Sequence, residues 1–409
     1  MATETLPLDL NGPRFHRTFT YTPPPSSDHS NTLPSPYKLT YADFGYRNET
    51  HPDQERVVLF SPPLMGSRLL FATKDALAKR HRIRVISVDR PGFGGSEQVP
   101  AAGRLALWRE TIPALLTHLS IPHLHAILSH SAGTLYALDL LHHLFPANPP
   151  TNPPTNPHQS INILSPDPEN PTLLALGAPW ILPAHTGAMA PALLKMLPAG
   201  LVSRADAVGR MANSAAVGVG VSAGVVGRLG GLVAGSVSFV SGGGASTNTS
   251  AGDGNGDGDD RETQKEDAKE EDRVWPGVMK QIYAEGVPGL SEDALLVLHK
   301  GAGMDSAVGW GGWGDYDTLV PALVEGLRRA GRKLRVEVRY AETDVLTGNG
   351  GVEGKGAKWF DGCWRESVGG DSGDVVVFGS RTVEGADHDG VWGLRWGAVQ
   401  EVFGIVGGV

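Results

Sequence analysis

A chain of 409 residues is long enough for two compact units or for one large α/β domain with insertions, and it needs no staple to hold a core together. Its single cysteine, Cys363, excludes an intrachain disulfide and points to a reducing, cytoplasmic setting. The net charge is −9, most of it in residues 251–272, where ten acidic residues face three basic ones; the remainder is nearly neutral and offers no basic face for nucleic acid.

The opening stretch MATETLPLDLNGPRF has neither a basic region nor an apolar run, so no secretory signal is expected and the sequons at Asn48 and Asn248 should go unused. Two strand-like runs, 14–21 and 37–44, flank TPPPSSDHS and predict an antiparallel, hairpin-like opening. VVLF at 57–60 and IRVISVD at 83–89 are β-branched and apolar, with a helical stretch between them. This alternation predicts a parallel sheet covered on both faces.

Residues 123–141, HLHAILSHSAGTLYALDLL, run from β-compatible residues into a small polar corner and then into leucines at helical spacing. Such a strand, turn and helix needs small residues around its apex, which Ser129, Ala132 and Gly133 supply; Ser131 is the apex of a variant G-x-S-x-G nucleophile elbow. Read alone, Ser131 could equally be the N-cap of a buried helix.

FPANPPTNPPTNPHQS follows, and its prolines bar both helix and central strand, so about 146–171 reads as a surface insertion. A strand at 172–176 leads into residues 183–305, where short helical pieces predict a helical cap. Residues 215–240 are rich in Gly, Ala and Val, but Arg228 at their centre would cost roughly 2.5 to 3.5 kcal/mol on membrane insertion, which disfavours a span. DGNGDGDDRETQ, 253–264, follows a calcium-loop spacing up to Gln264, where a bidentate Glu belongs. The low-complexity stretch 242–272 is therefore expected to be a disordered acidic linker whose replacement would leave stability unchanged.

Regular structure resumes with a helix at 317–330, a strand at 334–341 ending near Asp344, and a last strand at 374–378 followed by GADHDGVW. Ser131, Asp344 and His388 then stand just past the ends of three predicted parallel strands, where reactive groups of open sheets collect. Glu342, Asp361 and Asp387 compete with Asp344 as the acid, and the fourteen histidines leave His388 distinguished by its place after the last strand.

The elbow and the chain order Ser, Asp, His resemble the α/β-hydrolase superfamily. VVLFSPPLMGSR resembles its oxyanion-loop strand, DRPGFGGSE its D-R-P-G-x-G-x-S turn, AETDVLTG its acid-bearing turn and GADHDGVW its histidine turn. The resemblance implies an α/β-hydrolase fold, a mostly parallel central sheet flanked by helices with an inserted helical cap: core at 1–182 and 306–409, cap at 183–305. It implies Ser131 as nucleophile, His388 as base and Asp344 as its partner, with oxyanion donors at the Ala132 N–H and, since Pro62 and Pro63 replace the usual His and Gly, at Leu64, with Met65 in reserve. No cofactor or metal is called for. A serine at the elbow argues against the dehalogenases and epoxide hydrolases of the superfamily, which need an aspartate there. The expectation is an esterase or lipase-like serine hydrolase acting on a small hydrophobic acyl or aryl substrate. Thioesterase, acyltransferase or carbon–carbon hydrolase chemistry and a catalytically silent binding protein are the alternatives.

Overall fold

The computed structural model describes residues 8–23, 36–148, 162–188, 202, 258–300, 310–348, 354–368 and 375–408. Its centre is an eight-stranded sheet: β1 (Arg17–Tyr21), β2 (Tyr37–Gly45), β3 (Arg56–Ser61), β4 (Ile83–Val88), β5 (Ala126–His130), β6 (Thr172–Gly177), β7 (Leu334–Thr343) and β8 (Val376–Asp387), in the order β1-β2-β4-β3-β5-β6-β7-β8. β2 pairs antiparallel with both β1 and β4, and every other pairing is parallel, so β2 alone runs against the rest. The predicted antiparallel opening is thus present, at the sheet's edge.

β4, β5 and β6 are buried at every position, as befits strands with helices on both faces. Alternation along each strand divides the apolar side chains between two cores. Val57, Leu59 and Ile127 face one of them, with α2 (Ala101–His118), α3 (Gly133–Leu144), α6 (Tyr316–Ala330) and α7 (Ala357–Val368). Val58, Phe60 and Leu128 face the other, with α1 (Asp75–Arg80) and α8 (Ala398–Gly407). The helices bury the stripes their spacing demands: Leu319, Val320, Leu323, Val324 and Leu327 in α6, and Phe360, Cys363 and Trp364 in α7.

The last strand is longer than its sequence suggests. β8 pairs with β7 in register from Val376↔Leu334 to Val383↔Ala341, then slips so that Asp387 opposes Thr343. The irregularity carries β8 to the residue immediately before His388.

Two helices are described within the stretch expected to form a cap, α4 (Gly258–Glu285) and α5 (Gly289–Val297); residues 189–201 and 203–257, which include the glycine-rich run and Arg228, lie outside the described residues, as do residues 149–161 of the Pro/Asn-rich insertion. α4 corrects the expectation of a disordered linker through residue 272. From Gly258 onward the acidic run is helix, continuous with Trp275, Val278, Met279, Ile282 and Tyr283, which recur at helical spacing and pack into the second core. Its acidic residues meet basic partners of the body: Asp267 pairs with Arg80, Asp272 with Arg395 at 2.5 Å, and Glu285 with Arg68 at 2.7 Å. Gln264, the residue that spoils the calcium spacing, donates to the Leu394 and Arg395 carbonyls. Glu271 is buried, paired with Lys74, and accepts from Thr73 Oγ1 at 2.9 Å and the Leu394 N–H at 2.7 Å. Among the described residues, no helix is long and apolar enough to cross a membrane.

Breaking a buried ion pair strands its partner, whereas an exposed pair is screened by water. Glu271→Ala should therefore lower stability to urea by about 3 to 5 kcal/mol, and Arg395→Ala by less than about 1 kcal/mol. Equal small losses in urea denaturation would mean that α4 is not anchored through Glu271.

Candidate active site

The turn after β5 is tight in the way the sequence requires. Ser131 has φ +50°, the left-handed region costly for a residue with a side chain, and α3 starts two residues later. The apex peptide is held on both sides: the Ser131 N–H donates to the Gly177 carbonyl at 2.9 Å, and the Ser131 carbonyl accepts from the Trp180 N–H at 3.1 Å and the Thr134 N–H at 3.0 Å. A Cβ on Gly133 would lie 2.2 Å from the Ser61 carbonyl oxygen, so only glycine lets α3 approach the end of β3. Ser129 is engaged differently from Ser131, its Oγ 3.1 Å from Thr134 Oγ1 and its carbonyl accepting from the Trp392 indole N–H.

Ser131, more than two hundred residues before the other two in the chain, meets His388 and Asp344 in one hydrogen-bonded line. His388 Nε2 lies 2.8 Å from Ser131 Oγ, and His388 Nδ1 lies 2.8 Å from Asp344 Oδ2. All three are buried. A carboxylate only accepts, so Nδ1 carries the proton, and Nε2 of the neutral ring is free to accept from the serine hydroxyl. Asp344 Oδ1 in turn accepts from the N–H groups of Leu346 at 2.9 Å and Thr347 at 2.7 Å, which fixes the carboxylate plane.

The ionisations are set by competing effects. Burial alone would push the His388 pKa down, but the Asp344 charge and hydrogen bond, helped by Asp389 and Asp387, raise it on balance. Burial would raise Asp344, yet His388 and the two backbone N–H groups hold it below the usual carboxylate range. Each shift favours the charged form of its group relative to that group's ordinary value.

The competing acids are occupied elsewhere. Asp387 caps its own turn by accepting from the Gly390 N–H at 2.8 Å, Glu342 accepts from the Gly385 N–H at the irregularity in β8, and Asp361 accepts from Tyr340 and Ser380. Among the described residues, the N–H groups of the predicted oxyanion donors Ala132, Leu64 and Met65 donate to no protein acceptor. Leu64 and Met65 are the central residues of a turn closed by the Gly66 N–H on the Pro63 carbonyl at 2.8 Å.

Two residues that the sequence did not single out join the site. His130 is buried and pushed down to about 3, by burial first and then by repulsion from His388, so it stays neutral. Its Nε2 lies 2.8 Å from the His388 carbonyl and, facing an acceptor, carries the proton. Asp389 is pushed up to about 7, chiefly by burial and against the pull of His388. Both flank motif residues in the sequence, but neighbouring position alone says nothing about which way a side chain turns. His130, His388 and Asp389 form the one grouping among the described residues with metal-ligand chemistry, ligand atoms within 4.8 Å of one another. Both ring nitrogens of His388 are already engaged, by Asp344 and by Ser131.

No family model matches the sequence, and no curated protein does. Among solved structures, the chain is similar to an enol-lactonase from Burkholderia xenovorans, at 14% identity over 90% of this chain and 95% of that one, with a TM-score of 0.47. A thermophilic esterase from Thermogutta terrifontis matches at 14% identity over 94% and 96%, TM-score 0.45. An epoxide hydrolase from Vigna radiata matches at 13% identity over 95% of both chains, TM-score 0.45. With its strand order, its one reversed strand at β2, a serine elbow between β5 and α3, an aspartate beyond β7 and a histidine beyond β8, the chain has the α/β-hydrolase fold.

Proposed function

We propose that the protein is a serine hydrolase of carboxylic esters, working through an acyl-enzyme on Ser131. The observation that carries this reading is the line of two 2.8 Å hydrogen bonds joining Ser131, His388 and Asp344. As Ser131 Oγ attacks the ester carbonyl, His388 Nε2 takes its proton and Asp344 stabilises the imidazolium. The carbonyl oxygen becomes an oxyanion that the Ala132 and Leu64 N–H groups meet. The tetrahedral intermediate collapses when His388 returns the proton to the leaving alkoxide. Water then repeats the sequence on the acyl-enzyme, releasing the acid and restoring the serine.

A small hydrophobic acyl or aryl substrate is the proposed class, from the apolar, small-residue composition of the stretch 183–305. A panel of p-nitrophenyl esters of rising chain length, with thioester, amide and acyl-acceptor counterparts, decides between ester hydrolysis and the other acyl-transfer chemistries.

Ser131→Ala should abolish covalent labelling by a fluorophosphonate and lower kcat by a factor on the order of 10⁴ to 10⁶. A folded wild-type protein that takes no label and cleaves no substrate of the panel would instead be a binding protein.

Asp344→Asn should cut turnover far more than Asp387→Asn, because only Asp344 touches the His388 ring. A larger loss at Asp387 would reassign the acid.

His388 must be neutral to act as base, so kcat/KM should rise with pH through its titration. Asp389 contributes to holding the proton on His388. Asp389→Asn should accordingly move the acidic limb of the profile to lower pH, and an unmoved limb would show that Asp389 does not act on the base.

A further inference from the structure

The loop that presents the Leu64 N–H is gripped from behind by a buried ion network. Arg90, in the D-R-P-G turn after β4, has no exposed surface. Its Nη1 donates to the Pro62 carbonyl and its Nη2 to the Pro63 carbonyl. Its Nε donates to Asp293 Oδ2 at 2.7 Å, and Asp293, on α5, is equally buried. The second Asp293 oxygen accepts from Arg104 Nε and from Tyr136 Oη, both at 2.7 Å. Arg104 donates onward to the Pro91 carbonyl at 2.6 Å and the Val99 carbonyl at 3.1 Å. The Arg90 guanidinium carbon also stands 4.8 Å from the centre of the Tyr136 ring, three residues beyond Gly133 on α3. Two full positive charges and one negative are thus kept out of water beside the loop.

We infer that Arg90 is a positioning residue for the oxyanion site, with Asp293 as its brace. The inference rests on the acyl-enzyme reading above. In a trans peptide the C=O and the N–H point in opposite directions. Holding the Pro63 carbonyl on Arg90 therefore turns the Leu64 N–H away from Arg90. The same carbonyl accepts from the Gly66 N–H, so both of its lone pairs are engaged and the peptide plane cannot rotate without losing both bonds. Prolines at 62 and 63 supply no N–H, which leaves Leu64 as the first backbone donor after β3. A planar fork is needed to hold two successive carbonyls while a third nitrogen reaches Asp293; a lysine ammonium on its flexible stem does not reproduce this geometry.

Arg90→Lys should lower kcat by about 10- to 10³-fold, comparable to the loss of one oxyanion donor, with KM for the same ester changed less than about threefold. Affinity for a trifluoromethyl ketone, which forms a tetrahedral oxyanion adduct with the serine, should fall with kcat/KM, while affinity for the corresponding secondary alcohol, which forms no adduct, should hold. Tyr136→Phe removes two hydrogen bonds from the network, the one to Asp293 and the one from Arg104, without touching the loop, and should change stability but not the ketone-to-alcohol ratio. Should Arg90→Lys fail to fold, the isosteric Asp293→Asn should give the same selective loss at smaller size. Independently of either, the Leu64 amide resonance in [¹⁵N]leucine-labelled wild-type enzyme, identified by its absence in Leu64→Met, should move downfield on ketone binding. Equal ketone affinity in a folded Arg90→Lys protein, parallel loss of ketone and alcohol, or an unmoved Leu64 resonance overturns the role of Arg90. A wild-type protein that forms no ketone adduct and takes no fluorophosphonate overturns the acyl-enzyme reading instead.

Discussion

The left-handed backbone at Ser131 is the constraint on which the rest of the site depends. A residue at φ +50° is held there only by surroundings that leave it no alternative. Those surroundings are the ends of β3 and β6: Gly133 lies against the Ser61 carbonyl, and Gly177 and Trp180 grip the apex peptide from the other side. Trp392 closes the arrangement from below, its ring filling the space where a side chain at Gly177 would go. Ser131 is therefore placed by packing against the ends of β3 and β6, and its hydroxyl is held toward His388 Nε2.

Buried charge organises the neighbourhood of the site at two further places. Arg68, directly after the turn at residues 63–66, binds Asp89 at 2.7 Å, Glu285 at 2.7 Å and the His16 ring at 2.7 Å. Gly94, at φ +56°, makes room for it, since a Cβ there would lie 2.1 Å from the guanidinium. Together with the Arg90 and Arg104 pairs on Asp293, these contacts bind both α4 and α5 to the loops beyond β3 and β4. Pairs of this kind add little net stability compared with apolar packing, but they are intolerant of losing one member. They specify where each loop sits more than how firmly the protein folds.

What the sequence made legible was local. Strand, small residues and leucine spacing lie within 123–141, so the elbow could be read directly, and strand ends located Asp344 and His388 as candidates. The choice among Asp344, Glu342 and Asp387 was not local, because it turns on the slip between β7 and β8, which no period in the sequence records. α4 was missed because composition averaged over 242–272 hides an apolar spacing that starts at Trp275, and because its acidic side chains find partners on distant elements. Arg90 stood inside a recognisable turn, yet its partner Asp293 lies 203 residues away. Burial of a charge becomes intelligible only when the group that neutralises it is known.

Cys363, buried on the inner face of α7, gives the molecule an unusual chemical blank. It is the sole thiol of the chain, and burial, reinforced by Asp317 and Asp315, pushes it up to about 12, far from the thiolate that alkylating reagents attack. A buried thiol held protonated in this way is a poor nucleophile toward maleimides and iodoacetamides at neutral pH. Cysteines introduced in pairs at exposed positions then become the attachment points for fluorophores or spin labels, and distances across the sheet can be measured in solution without first removing a native residue.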